Sequence, residues 1–131
     1  MAKYHNGNAC YEMKVDKIKK IFHLKASGFF AEEDGQSYLK DYDQLVKTFP
    51  TKDYVLVIDG TDLKPSSPKV AEMLGTLLER YIKIPFKTRF LITQGNAVTV
   101  SQFRRLGGQI PGWTEGVQYA KDLNEVIMKI S

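Results

Sequence analysis

The stretch of sequence that most constrains the fold is the run Tyr54–Ile58, which is apolar and rich in β-branched residues. It stops at the turn signal Asp59-Gly60, so it predicts a strand buried on both faces of a sheet. Ser67 and Pro68 then have the residue types of a helix N-cap and a first helical position. Strand, polar loop and helix in this order predict half of a parallel β-α-β unit. The loop is expected at the carboxyl end of the strand, where open α/β sheets hold ligands or partners.

The remaining elements predict a mixed α/β fold. Two alternating runs between residues 9 and 27 predict an antiparallel hairpin, and Thr88–Thr93 and Val117–Ala120 predict two further strands. Apolar stripes at helical spacing predict helices over about 31–49, 68–84 and 97–106, and from Asp122 onward. The predicted order is β-β-α-β-α-β-α-β-α. It implies a mostly parallel central sheet, with the N-terminal hairpin antiparallel at one edge and helices packed on the sheet.

The domain organisation follows from length and from the polar N-terminus. Residues 1–8 are polar and contain the turn signal Asn6-Gly7, so we expect a flexible tail. Residues 9–131 are then a single domain, long enough to bury a core.

Composition limits the cellular compartments and binding partners that we expect for the protein. The single cysteine, Cys10, excludes an internal disulfide and suits a reducing compartment. No apolar run approaches the ~20 residues of a membrane span, so we expect a cytoplasmic protein. The net charge of +4 is mild and scattered, and it calls for no specific nucleic acid.

The N-terminal hairpin is the most basic part of the sequence. A solvated face with edge protection by lysine explains this charge, and a contact with phosphate or acidic lipid is the alternative. The residues concerned are Lys14, Lys17, Lys19, Lys20 and Lys25.

The sequence does not contain a recognisable catalytic or cofactor-binding constellation. Its two histidines, His5 and His23, have no metal-ligand spacing, and no glycine-rich phosphate loop follows a strand, so we predict neither metal nor cofactor. The segment VLVIDGTDL is similar to a phosphatase motif, but Val57 occupies the position of its nucleophile. Asp59 as a phospho-acceptor would need an acidic pair after the first strand to hold Mg²⁺, where this chain has a basic hairpin. We therefore predict that the protein is not an enzyme.

The serine pair Ser66-Ser67 has two interpretations. Ser67 as an N-cap is worth about 1 kcal/mol, which alone explains it. A phosphate on this hydroxyl would also meet the positive end of the helix dipole, so Ser67 or Ser66 is the candidate for phosphorylation.

The element order and the serine pair at the start of a helix resemble the STAS domains, the family of the bacterial anti-sigma-factor antagonists. The resemblance in topology runs from Ala9 to Ile130. In antagonists the loop reads D-S-S-G and a kinase-type anti-sigma factor phosphorylates the second serine, which corresponds to Ser67. This chain departs from that pattern with Pro65 before the pair and Pro68 after it.

The resemblance implies a non-enzymatic regulatory or protein-interaction module, with an anti-sigma-factor-like kinase as one candidate partner and homodimer formation left open. An alternative is a small-molecule or lipid-binding domain with an apolar cleft between the first helix and the sheet, lined by Phe29, Phe30, Tyr38 and Tyr42. The predicted binding surface comprises Asp59, Thr61, Asp62, Ser66 and Ser67, then Thr93, Gln94 and Asn96, and, as an extension, Arg104, Arg105 and Trp113.

Overall fold

The computed structural model describes residues 1–92 and 97–130, which form one six-stranded sheet and its helices. The strands are β1 (Ala2–Asn6), β2 (Ala9–Asp16), β3 (Ile21–Gly28), β4 (Val55–Leu63), β5 (Thr88–Ile92) and β6 (Gln118–Ala120). The helices are α1 (Glu32–Leu45), α2 (Pro68–Lys83), α3 (Ala97–Gly107), α4 (Trp113–Gly116) and α5 (Leu123–Ile130), and a 3₁₀ turn (Thr51–Asp53) precedes β4.

The strands lie in the sheet in the same order as in the chain. β1, β2 and β3 pair antiparallel, and β3 to β6 pair parallel. The predicted mixed, mostly parallel α/β fold with an antiparallel N-terminal hairpin is therefore confirmed. Right-handed crossovers that always extend a sheet in one direction place their helices on one face, and the core shows this arrangement.

Helices α1 to α4 pack on one face of the sheet, and α5 packs on the other. The larger apolar cluster joins Leu56, Ile58 and Leu91 of the sheet to residues of α1, α2, α3 and α4. The smaller cluster joins Val57, Phe90 and Ile92 to Val126 of α5. On this second face, no described helix contributes to a cluster over β1 and β2, where exposed polar residues include Lys3, His5 and Lys14.

The prediction that residues 1–8 form a flexible tail is wrong for most of this segment, because Ala2–Asn6 is the edge strand β1. The ring of Tyr4 stacks on Tyr11 with centroids 4.8 Å apart, and its hydroxyl donates to Asp34 Oδ1 at 2.6 Å. Asn6 Nδ2 also donates to Asp34 Oδ1, at 3.1 Å. Aromatic and polar contacts therefore fix this strand. The sequence did not predict it because its residues do not alternate between apolar and polar.

β4 also runs further than the sequence predicted. We expected it to end at Ile58, but it continues to Leu63, because β3 passes through an irregularity between Lys25 and Ser27 and pairs again at Asp62 and Leu63. The loop between β4 and α2 is consequently only residues 64–67.

The predicted first helix is likewise shorter than expected. It ends at Leu45, before Phe49 and Pro50. The short helix α4 is an element that the sequence did not predict.

Candidate functional site

The carboxyl end of β4 and the start of α2 form the candidate site. Ser67 has an extended backbone, and its Oγ accepts the Val70 N–H at 3.4 Å, which makes it the N-cap of α2 as predicted. Pro68 occupies the first helical position, where its missing N–H costs nothing. Ser67 is half-buried, and its hydroxyl lies at the positive end of the α2 dipole.

The loop 64–67 is held against α3 by two polar side chains. Gln102 Oε1 accepts the Ser66 N–H at 2.9 Å, and Gln102 Nε2 donates to the Ser66 carbonyl at 3.2 Å. Thr99 Oγ1 donates to the Leu63 carbonyl at 2.6 Å. Both side chains are buried, so these bonds replace water that the loop backbone would otherwise need. The conformation of the loop is therefore fixed by a second helix.

Sequence reasoning missed Thr99 and Gln102. A signal was present, because both are polar residues on the same helical stripe as Phe103, which is 2% exposed. A polar residue on a buried stripe needs a hydrogen-bond partner, but its partners lie 36 residues away in sequence. The sequence alone could not name them.

A shallow groove runs between this loop and the first turns of α3. Arg105 lies at one side of the groove and is exposed, as are Pro65 and Val98. The groove is lined by Pro65, Ala97, Val98, Ser101, Gln102 and Arg105. It thus joins the serine-bearing loop to α3 in one continuous surface.

The predicted site residues of β4 lie in the strand rather than in a loop. Asp59 is half-buried, and its Oδ1 accepts the Thr61 N–H at 3.0 Å. Asp62 is exposed and pairs with Ser27 in the sheet register. Thr93, Gln94 and Asn96 lie outside the described residues.

Of the predicted extension of the surface toward α3 and α4, the two arginines are accessible to solvent and the tryptophan is not. Arg104 and Arg105 are exposed, and the guanidinium of Arg104 lies 4.5 Å from the ring centroid of Tyr119, near β6. Trp113 is 2% exposed and packs so tightly on Gly107 that a Cβ there would lie 2.4 Å from its Nε1. Its prediction as a surface residue is therefore wrong, because the indole fills the core between α3 and α4.

His23 of β3, Asp59 of β4 and Lys25 of β3 are ionisable groups on the second face of the sheet. Burial lowers the pKa of His23 below its usual 6.5, the negative charge of Asp59 opposes that shift, and the positive charge of Lys25 adds to it. His23 Nε2 is buried without a hydrogen-bond partner in the described part of the chain. The neutral imidazole is thus the favoured form on this face.

Comparison with solved structures identifies the fold. No family model matches the sequence, and no curated protein matches it. An uncharacterised protein of the DUF3478 family from Shewanella loihica PV-4, with a SpoIIAA-like fold, matches with a TM-score of 0.70 and 18% identity, over 98% of this chain and 99% of that one. An anti-sigma factor antagonist from Mycobacterium paratuberculosis matches with a TM-score of 0.58 and 14% identity, over 92% and 93% of the two chains.

The chain has a SpoIIAA-like fold. The predicted divergent STAS-like architecture is confirmed by both matches, and this likeness concerns the fold alone. Within the SpoIIAA-like fold, the β4–α2 loop of this chain has a proline on each side of its serine pair. Pro65 and Pro68 fix φ at their positions and remove two backbone N–H donors from this stretch.

This SpoIIAA-like domain also contains an apolar cavity of about 60 Å³ between α1, α2 and β4. Phe30 and Tyr38 line it as the sequence predicted, together with Met73 and Leu77 of α2. The other two predicted residues do not: Phe29 is 45% exposed, and Tyr42 is fully buried elsewhere, against Phe22 and Tyr81.

Within residues 1–92 and 97–130, no cluster of three or more His, Cys, Asp or Glu side chains could hold a metal ion. None of the helices in these ranges is long and apolar enough to cross a membrane.

Proposed function

We propose that the protein is a non-enzymatic regulatory module that binds a protein partner at the carboxyl end of β4. The observation that carries the proposal is the double hydrogen bond between Gln102 and Ser66, which fixes the exposed loop before a partner arrives. A surface that is already ordered loses less conformational entropy on binding. The proposed surface comprises Asp59, Thr61, Asp62, Ser66, Ser67, Arg104 and Arg105, with the α3 groove beside it.

The fold supports a regulatory role over catalysis. One structure with this fold is an anti-sigma factor antagonist. The Ser67 hydroxyl is engaged in capping α2, which suits a group that is recognised or modified rather than one that attacks a substrate. The proposal places the protein in the cytoplasm, which suits a chain whose only cysteine, Cys10, is free.

Phosphorylation at Ser67 is the regulatory step that we propose for this surface. A phosphate there would add a charge of about −2 next to the helix N-terminus. The partner would be an anti-sigma-factor-like kinase. Lys69 is exposed nearby and forms an ion pair with Glu32 at 3.1 Å, which the new charge would compete for. Modification would therefore change both the charge and the contacts of the binding surface.

The experiment isolates a partner from native lysate with the wild-type protein and then measures its affinity in purified form. Ser67→Asp and Asp62→Ala should each weaken binding at least about tenfold, because the first places a new charge in the contact and the second removes a carboxylate that can accept hydrogen bonds from the partner. Lys40→Ala, an exposed substitution on α1, is the control. If both variants bind a verified partner like wild type, the proposed surface is wrong. Mass spectrometry of protein from native cells tests modification of Ser67 directly.

The apolar cavity favours a second candidate function, the binding of a small apolar molecule. At about 60 Å³ the cavity is smaller than the ~150 Å³ that accommodates benzene, so a ligand would have to displace a flexible side chain such as Met73. A ligand should raise the melting temperature of wild type but not of Leu77→Phe, which fills the cavity. No shift with a panel of small apolar compounds would contradict this function.

A further inference from the structure

The amino ends of the parallel strands gather much of the positive charge of the molecule. Three segments meet there: 16–20, 47–54 and 83–87. The Val55 N–H donates to the Lys20 carbonyl at 2.9 Å, and the Lys87 N–H donates to the Tyr54 carbonyl at 2.9 Å. These segments, which we call the basic end, carry seven exposed lysines: Lys17, Lys19, Lys20, Lys47, Lys52, Lys83 and Lys87.

Few negative charges oppose these lysines. The same segments contain two carboxylates, Asp16 and Asp53, so seven lysines against two aspartates give the basic end a charge of +5. The whole chain carries +4, so the rest of the molecule is slightly negative. Asp16 Oδ1 accepts the N–H groups of Ile18 and Lys19 at 3.0 and 2.9 Å, so this carboxylate folds back on its own turn. The charge of the protein is concentrated at one end.

The tip of the β2–β3 hairpin combines this charge with an exposed apolar side chain. Ile18 is 94% exposed and lies between Lys17 and Lys19. The turn around it is well defined, because Asp16 caps it and Lys20 has a positive φ of 59° with its Nζ 5.4 Å from the ring centroid of Tyr54. Exposing an isoleucine on an ordered turn gains nothing in water, whereas a bilayer interface accepts an apolar side chain flanked by lysines.

We propose that the basic end binds the surface of an anionic lipid bilayer. Lys17, Lys19 and Lys20 contact lipid phosphates, and Ile18 inserts between the headgroups. Single-stranded nucleic acid, another polyanion that such charge attracts, is bound by stacking on exposed aromatic rings. The rings at this end are buried instead: Tyr54 is 2% exposed, Phe86 6% and Phe49 8%.

This contact leaves the proposed partner surface free. The hairpin tip lies at the amino ends of β3 and β4, whereas the loop 64–67 follows the carboxyl end of β4. The inference therefore does not depend on the proposed function, and either can fail alone.

Membrane binding through such a surface is reversible and sensitive to salt. Each lysine at an anionic surface contributes about fivefold in affinity, equivalent to ~1 kcal/mol. Three tip lysines therefore account for about 100-fold. Partial burial of Ile18 adds about tenfold.

The test is co-sedimentation of the full chain with vesicles of phosphatidylcholine alone or with a third phosphatidylserine. Wild type should bind the anionic vesicles and not the neutral ones, and added salt should release it. The triple variant Lys17→Gln, Lys19→Gln, Lys20→Gln should lose about 100-fold in affinity, and Ile18→Asn about tenfold. All four side chains are exposed, and the triple variant loses one contact with a ring, that of Lys20 with Tyr54, so the fold should be retained.

Matched controls carry the same changes elsewhere. Lys3→Gln, Lys40→Gln, Lys121→Gln removes three exposed lysines outside the basic end, and Met128→Asn replaces another exposed apolar side chain, which is 78% exposed on α5. Both should bind the anionic vesicles within about twofold of wild type. Equal losses in the tip and control variants, an unchanged Ile18→Asn, or binding to a single-stranded oligonucleotide without binding to vesicles would overturn the proposal.

Discussion

At the scale of single residues, two glycines differ in how substitution by alanine should change the stability of the protein. Gly28 has a φ of +83°, and a Cβ there would lie 1.5 Å from the Asn8 carbonyl oxygen. Gly75 lies within α2, and a Cβ there would meet nothing within 4 Å. We expect Gly28→Ala to lower the free energy of unfolding by about 3 kcal/mol or more. Gly75→Ala should raise it by about 0.5–1 kcal/mol. Urea unfolding measures both, and effects of the same sign would contradict the assigned geometry.

His23 gives a prediction for pH dependence. Because burial lowers its pKa in the folded state, the unfolded chain binds a proton more readily near the usual pKa of 6.5. The contribution of His23 to stability therefore falls as the pH drops through that value, and it is restored above it. His23→Leu should lose less stability than wild type between about pH 7.5 and about pH 5.5 in urea unfolding. His5→Leu, on the exposed strand β1, is the control, and an equal pH dependence of wild type and His23→Leu would refute the prediction.

Residues with a local role could be predicted from the sequence, and residues with a distant partner could not. Ser67 caps the helix that begins at the next residue, so its role follows from its neighbours. Trp113 was interpreted as a surface residue because nothing near it in sequence indicates the space above Gly107 that it fills.

At the scale of elements, β1 is an edge strand without an apolar stripe, and we expect the contacts of Tyr4 to anchor it. Tyr4→Ala removes the stacking on Tyr11 and the donor to Asp34, so we expect a loss of about 2 kcal/mol in the free energy of unfolding. Lys3→Ala on the same strand removes only an exposed ion pair with Glu12 and should change it by less than about 0.5 kcal/mol. If the two substitutions had equal effects in chemical denaturation, β1 would not be anchored through Tyr4.

Most elements were predictable because the chain supplies both a pattern and a stop signal. The core of β4, the start of α2 and the strand β5 all combine an apolar run with a turn or cap. Asp59-Gly60 predicts the end of a strand, but β4 continues past it, because Asp62 and Leu63 pair with Ser27 and Gly28 of β3.

At the scale of the whole molecule, we propose that residues 9–131 unfold as a single domain together with β1. Trp113 reports on the core around α3 and α4, while far-UV circular dichroism reports on all helices. Both signals should give the same urea midpoint and the same slope. Two separated transitions would show that the C-terminal helices form a unit of their own.

The mixed α/β class followed from periodicity, because every element except β1 and α4 carries its own pattern. The uneven distribution of charge could not be predicted from periodicity, because it depends on which strand ends lie together in the sheet. Lys47, Lys52 and Lys87 are scattered in the sequence, and only the topology brings them to the same end as the hairpin tip.

The strand order, identical to the order in the chain, also bears on synthesis. A ribosome delivers the N-terminal part first, so each newly emerging strand finds its neighbour already made and none has to be threaded between two others. Phe90 and Ile92 stay exposed for longest, because Val126, which packs on them, leaves the ribosome near the end of translation.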